Sequence, residues 1–162
     1  MNYVDQLFNL SNRVVAVTGG AGFLCSEMAW GFHLAGCKIV IMDANEALSS
    51  TVSQKIIDDG GNVLSLDIEV SKKTDFEVCL QKILNEFGQV DVLINGAGIN
   101  SPTPILNVTE EEWDRIMAVQ LKGTLFGCQV FGSQMLEQKS GSIINISSAS
   151  AGPPLSKAFT YS

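Results

Sequence analysis

Short apolar runs begin at Val14, Lys38, Val63, Val90 and Ser142, and each of the first four leads into a longer stretch with helical character. That alternation constrains the chain more than any other feature. Strands separated this widely are not hairpin partners; a crossover of a dozen or more residues returns the chain for parallel pairing. The pattern predicts an α/β unit, a doubly wound parallel sheet with helices on both faces and about five strands present. Strands are expected over residues 14–17, 38–42, 63–66, 90–94 and 142–146, and helices over 22–35, 46–59, 71–87 and 109 to about 138. Glycines at 36, 60 and 88 mark helix ends, Ser71 is a candidate N-cap, and Thr109 with Glu112 fits a capping box. No repeat or linker divides the sequence, so residues 1–162 form one expected domain.

Charge narrows the partners. A formal net charge of −7 without a basic cluster argues against nucleic acid and against an anionic membrane surface. No apolar run approaches the roughly 18 residues of a membrane span, and residues 1–12 lack the basic start and apolar core of a signal peptide. Cys25, Cys37, Cys79 and Cys128 have no C-x-x-C spacing, so reduced thiols in a cytoplasmic protein are expected and no metal site. His33 stands alone in a helical stretch and reads as structural.

Function is written where strands end. Gly19, Gly20 and Gly22 lie between the first strand and the first helix, followed by Phe23 and Leu24. A diphosphate needs that geometry: free N–H groups opening a helix, with no side chains to block backbone approach. Asp43 closes the second strand, 21 residues after Gly22. A carboxylate there accepts hydrogen bonds from ribose hydroxyls and repels a 2′-phosphate, so NAD is expected rather than NADP. Asp67 and Ile68 end the third strand, and Asn95-Gly96-Ala97-Gly98 ends the fourth with small residues that let a ribose approach the backbone.

Together, Thr18-Gly19-Gly20-Ala21-Gly22, Asp43, Asn95-Gly96-Ala97-Gly98, Ser148 and Tyr161 resemble the short-chain dehydrogenase/reductase family, from about Leu10 to Ser162. The resemblance implies a Rossmann-type fold, a nicotinamide dinucleotide and hydride transfer to or from a carbinol or carbonyl carbon. It assigns the adenine amino group to Asp67, the adenine ring to Ile68, and bracing of the neighbouring strand to Asn95. Ser148 would orient the substrate oxygen. Tyr161, thirteen residues later, would be the base. A tyrosine with an ordinary pKa of about 10 needs nearby positive charge for that role. The family supplies it from a lysine four residues on.

Three departures from the family pattern are visible. Cys25 stands where the last glycine of T-G-x-x-x-G-x-G is usual; Gly96 replaces the second asparagine of N-N-A-G; and Gln120 replaces the helix asparagine that holds a proton-relay water. The glycine spacing alone suits the extended branch of the family, while N-G-A-G and the Ser148–Tyr161 interval suit the compact branch, which is the reading adopted. The lysine position lies past Ser162, so the chain is expected to be a truncated member lacking its C-terminal strands. The expected activity is NAD-dependent oxidation or reduction of a small alcohol or ketone, of sugar or polyol type among others. The alternatives are a non-catalytic nucleotide-binding module and an interaction protein that keeps the fold. Relatives in the family often pair through the helix at 109–138, which makes a homo-oligomer the expected assembly.

Overall fold

All five residues of β1 (Val14–Thr18) are buried, because this strand lies at the middle of the sheet with helices above and below. Its side chains alternate, as the pleat requires. Val14 and Ala16 enter one core; Val15 and Val17 enter the other. The computed structural model describes residues 8–148. Around β1 lie β2 (Lys38–Asp43), β3 (Val63–Asp67), β4 (Val92–Asn95) and β5 (Ser142–Asn145), all parallel, in the order β3-β2-β1-β4-β5.

Helices α1 (Phe23–Leu34) and α2 (Glu46–Asp58) cover one face, with Ala29 and Ile56 packed on Val15, Val17, Ile39 and Ile41. Helices α3 (Lys73–Phe87) and α5 (Gly123–Gln138) cover the other, where Phe76 meets Phe131 edge-on at 6.4 Å between ring centres. Helix α4 (Glu110–Met117) runs into α5 through a π-helical turn, Ala118–Lys122. The long helix expected at 109–138 therefore exists, but with a widened turn in its middle. Thr109 caps it, accepting from the Glu112 amide at 3.2 Å, while the Glu112 carboxylate turns to Thr103 instead of closing a capping box.

Two boundaries move for identifiable reasons. Lys72, not Ser71, is the N-cap of α3, because the Ser71 hydroxyl is drawn to the Glu69 carboxylate at 2.9 Å. The fourth strand starts at Val92, because the Val90 amide donates to the Gln138 side chain and Asp91 serves its neighbours through its carboxylate. His33 donates or accepts in a 2.8 Å bond with Asp59 that ties α1 to the end of α2.

Asp91 closes the lower end of the sheet. It accepts from the Arg13 guanidinium at 2.7 Å, from the Val14 amide at 2.8 Å and from Gln89 at 2.7 Å. Burial alone would raise the Asp91 carboxyl, but these donors outweigh it and hold it below the ordinary aspartate range. The resulting stabilisation is whole well above the unfolded value of about 3.9 and is lost as pH falls through the lower folded one. In urea titrations at neutral pH, Asp91→Asn is expected to lose about 1–3 kcal/mol. The gap between variant and wild type should close on acidification below the ordinary aspartate range; a gap that persists there would contradict this assignment.

Candidate functional site

Because β1 sits between β2 and β4, crossovers leave it in opposite directions and open a crevice at the carboxyl ends of β1 and β4. Thr18 joins the two ends. Its buried hydroxyl accepts from the amides of Gly96 and Ala97 at 3.0 and 3.2 Å and lies 3.4 Å from the Ile94 carbonyl. The sequence alone gives Thr18 no role; a threonine at the end of a buried strand is the signal, since a buried hydroxyl needs partners.

At Gly19 the chain turns with φ +64° and lies so close to β4 that an added Cβ would stand 2.7 Å from the Ala97 Cα. Gly22 then caps α1 with no side-chain bond. The amides that open this helix have no partner within it, and the first helical bond runs from the Ser26 amide to the Gly22 carbonyl. Across the turn, the half-buried Asp43 accepts from the Ala21 amide at 3.0 Å through one oxygen and from the Asn45 amide at 2.9 Å through the other. Asp43 thus holds the glycine turn in place, and each oxygen keeps a second lone pair.

These parts enclose a cleft of about 750 Å³, the size of a small-molecule pocket. Of the residues singled out from the sequence, Gly19, Gly22, Phe23, Leu24, Asp43, Ile68, Gly96, Ala97 and Gly98 line it. Gly20 and Asn95 are buried, and neither is part of the lining. The Asn95 side chain donates to Asn145 at 2.9 Å, joining β4 to β5. Asp67 is exposed at the end of β3, outside the lining. Arg115 and Val119, from the long helix, complete the wall and were not anticipated.

Cys25 lines the floor and is buried, with its thiol directed at the Gly96 carbonyl 3.7 Å away. Burial pushes this thiol up from its ordinary value and the Asp43 carboxylate adds to the effect, so it remains a protonated donor. Gln120 lies in the π turn. Its side-chain amide nitrogen donates to the Ile99 carbonyl at 3.2 Å, and its backbone carbonyl accepts from the Thr124 hydroxyl at 2.8 Å. The longer side chain therefore bridges the helix to the loop after β4. Ser148 is half-buried at the end of the described segment, and Tyr161 lies outside the described residues. Among the described residues, no group of three His, Cys, Asp or Glu side chains could hold a metal, and no helix is long and apolar enough to cross a membrane.

The model of the family described as short chain dehydrogenase matches residues 13–162. This chain belongs to that family. It is 36% identical over 152 residues to an (S)-acetoin-forming diacetyl reductase of Staphylococcus epidermidis, covering 93% of this chain and 59% of the relative. An NAD-dependent glycerol dehydrogenase of Listeria innocua is 29% identical over 157 residues, covering 97% and 61%. A metagenomic short-chain oxidoreductase solved in complex with NADP superimposes with a TM-score of 0.87 at 28% identity, covering 94% of this chain and 70% of that one. The chain thus spans about three-fifths of the length of these curated relatives.

Proposed function

We propose that this chain forms the coenzyme-binding part of an NAD-dependent oxidoreductase that moves a hydride between a nicotinamide and the carbon of a small alcohol or ketone. The observation that carries the reading is Asp43, a carboxylate bonded to the Ala21 amide of the glycine turn and lining the same cleft as the uncapped start of α1. The amides of Phe23 and Leu24 suit a diphosphate. The remaining lone pairs of Asp43 suit ribose hydroxyls, and its charge disfavours the 2′-phosphate of NADP. Ile68 would flank the adenine and Asp67 would take its amino group. The small residues Gly96, Ala97 and Gly98 admit the ribose on the nicotinamide side.

NAD supplies the hydride acceptor when bound. In the same reading Ser148 orients the substrate oxygen, and Tyr161 takes the hydroxyl proton. Gln120 acts as a positioning residue through its bond to Ile99. The diacetyl reductase and glycerol dehydrogenase relatives favour small oxygenated substrates of ketone or polyol type. Pairing of two copies through the helix of residues 109–138 belongs to the same reading, since Leu121 and Leu125 stand exposed on it.

The test is titration of the full chain with NAD and NADP, followed by Trp30 and Trp113 fluorescence. Asp43→Asn is expected to weaken NAD binding and to shift the NAD-to-NADP preference toward NADP by about tenfold, since one charge near the phosphate is removed. An unchanged ratio would remove Asp43 from this role. A folded chain that binds neither dinucleotide would defeat the whole reading. Binding without turnover would make this chain a nucleotide-binding module.

A further inference from the structure

Arg115 is the cation on the wall of the cleft, and among the described residues its guanidinium has no hydrogen-bond or ion-pair partner. Its own helix offers two acids at favourable spacing, Glu111 four residues before it and Glu112 three before it. Neither is used. The Glu112 carboxylate accepts from the Thr103 hydroxyl at 2.8 Å. The Glu111 carboxylate folds back on its own amide and the Thr109 hydroxyl, which together hold it below the ordinary glutamate range. The acids of the cleft are also engaged elsewhere: Asp43 with the Ala21 and Asn45 amides, and Glu69 with the Ser71 amide and hydroxyl. Arg115 is therefore the charged group of this cleft left without a partner.

Its position narrows what it meets. Arg115 and Val119 are four residues apart and share a helix face, and both line the cleft together with Ile68 and Val70 beyond β3. Ile68, Val70 and Val119 give this lining an apolar share, and Glu69 between the first two is engaged with Ser71. A planar cation beside apolar walls suits a flat, electron-rich ring better than a free phosphate.

We propose that Arg115 is a cofactor-binding residue whose guanidinium lies over the adenine base of the dinucleotide, with Ile68 on the base's other side. The proposal rests on the dinucleotide reading above. It adds a second element, the long helix, to an adenine site otherwise drawn from the end of β3.

The experiment is calorimetric titration of the full chain and of Arg115→Ala, Arg115→Lys and Arg115→Met with NAD, ADP and adenosine, at low and high salt. Arg115→Ala is expected to weaken all three ligands by a similar factor, about 3- to 30-fold, the range for a cation placed over a π system. Arg115→Lys should recover part of the loss and Arg115→Met less. Matching thermal melts across the variants would show that the fold is untouched. A loss seen with ADP but not adenosine, and abolished by salt, would mean a phosphate contact and overturn the proposal. Equal affinity in wild type and Arg115→Ala would overturn it too. A wild-type chain that binds none of the three fails at the earlier step, the dinucleotide reading itself, and takes this proposal with it.

Discussion

A Gly19→Ala chain is expected to be less stable by about 2–5 kcal/mol and to show no NAD binding at concentrations that saturate the wild type. Two separate penalties add. At φ +64° a side chain is strained by roughly 1–2 kcal/mol. The new methyl group would also stand 2.7 Å from the Ala97 Cα and 3.0 Å from its amide nitrogen, both backbone atoms that a rotamer change does not move. Overpacking of that kind costs about 1–3 kcal/mol. Relief requires the glycine turn to move off the end of β4, and the Thr18 bonds to Gly96 and Ala97 lie in its path. The turn also carries the Ala21 amide held by Asp43, so both walls of the cleft shift together. Gly60→Ala is the control. Gly60 has φ +80° but open space around it, so it suffers the strain without the collision. Urea melts should separate the two variants, and equal losses would show that the contact with Ala97 is immaterial.

Much of the fold was legible because each strand is buried by helices on both sides or ends at a recognisable turn. Val14–Thr18 and Lys38–Asp43 are apolar almost throughout, as strands buried on both faces are, and Gly88 ends α3 in the left-handed conformation its position suggested. Helix starts were harder to place. Ser71 and Glu112 each had a local partner in prospect, and each was taken by a competing group: Glu69 two residues before Ser71, and Thr103 from the loop after β4. The π turn at Ala118–Lys122 leaves no mark on composition or period. Asp43 stood out by position alone, yet its bonds to the Ala21 and Asn45 amides depend on how β2 meets the glycine turn. Arg115 was invisible for a related reason. With acids at three and four residues before it, a sequence reads it as part of an ordinary ion-paired helix face.

The departures at Cys25 and Gly96 look in the sequence like two independent losses, 71 positions apart. In space they are one feature. A Cβ at residue 96 would overlap the Cys25 thiol, so a sulfur can occupy this site because residue 96 has no side chain. Cys25 is held there by Val15, Val17, Ala21, Ala29 and Ile94 around it and by its bond to the Gly96 carbonyl. Gly96→Ala is therefore expected to destabilise the wild type by about 1–3 kcal/mol. Cys25→Gly alone should lose about 1 kcal/mol or more, from glycine in a helix and the space left behind. The double variant should recover part of the sum, with a coupling of about 0.5–3 kcal/mol favouring the pair. The 3.1 Å approach of residue 96 to the Thr18 carbonyl is common to both backgrounds and cancels in the cycle. Additive losses in urea melts would show that the thiol moves aside without cost and that the two positions changed separately. Coupling would mean that the floor of the cleft was repacked as a unit, a change that alters its shape while leaving the amides of α1 and the carboxylate of Asp43 where the proposed dinucleotide needs them.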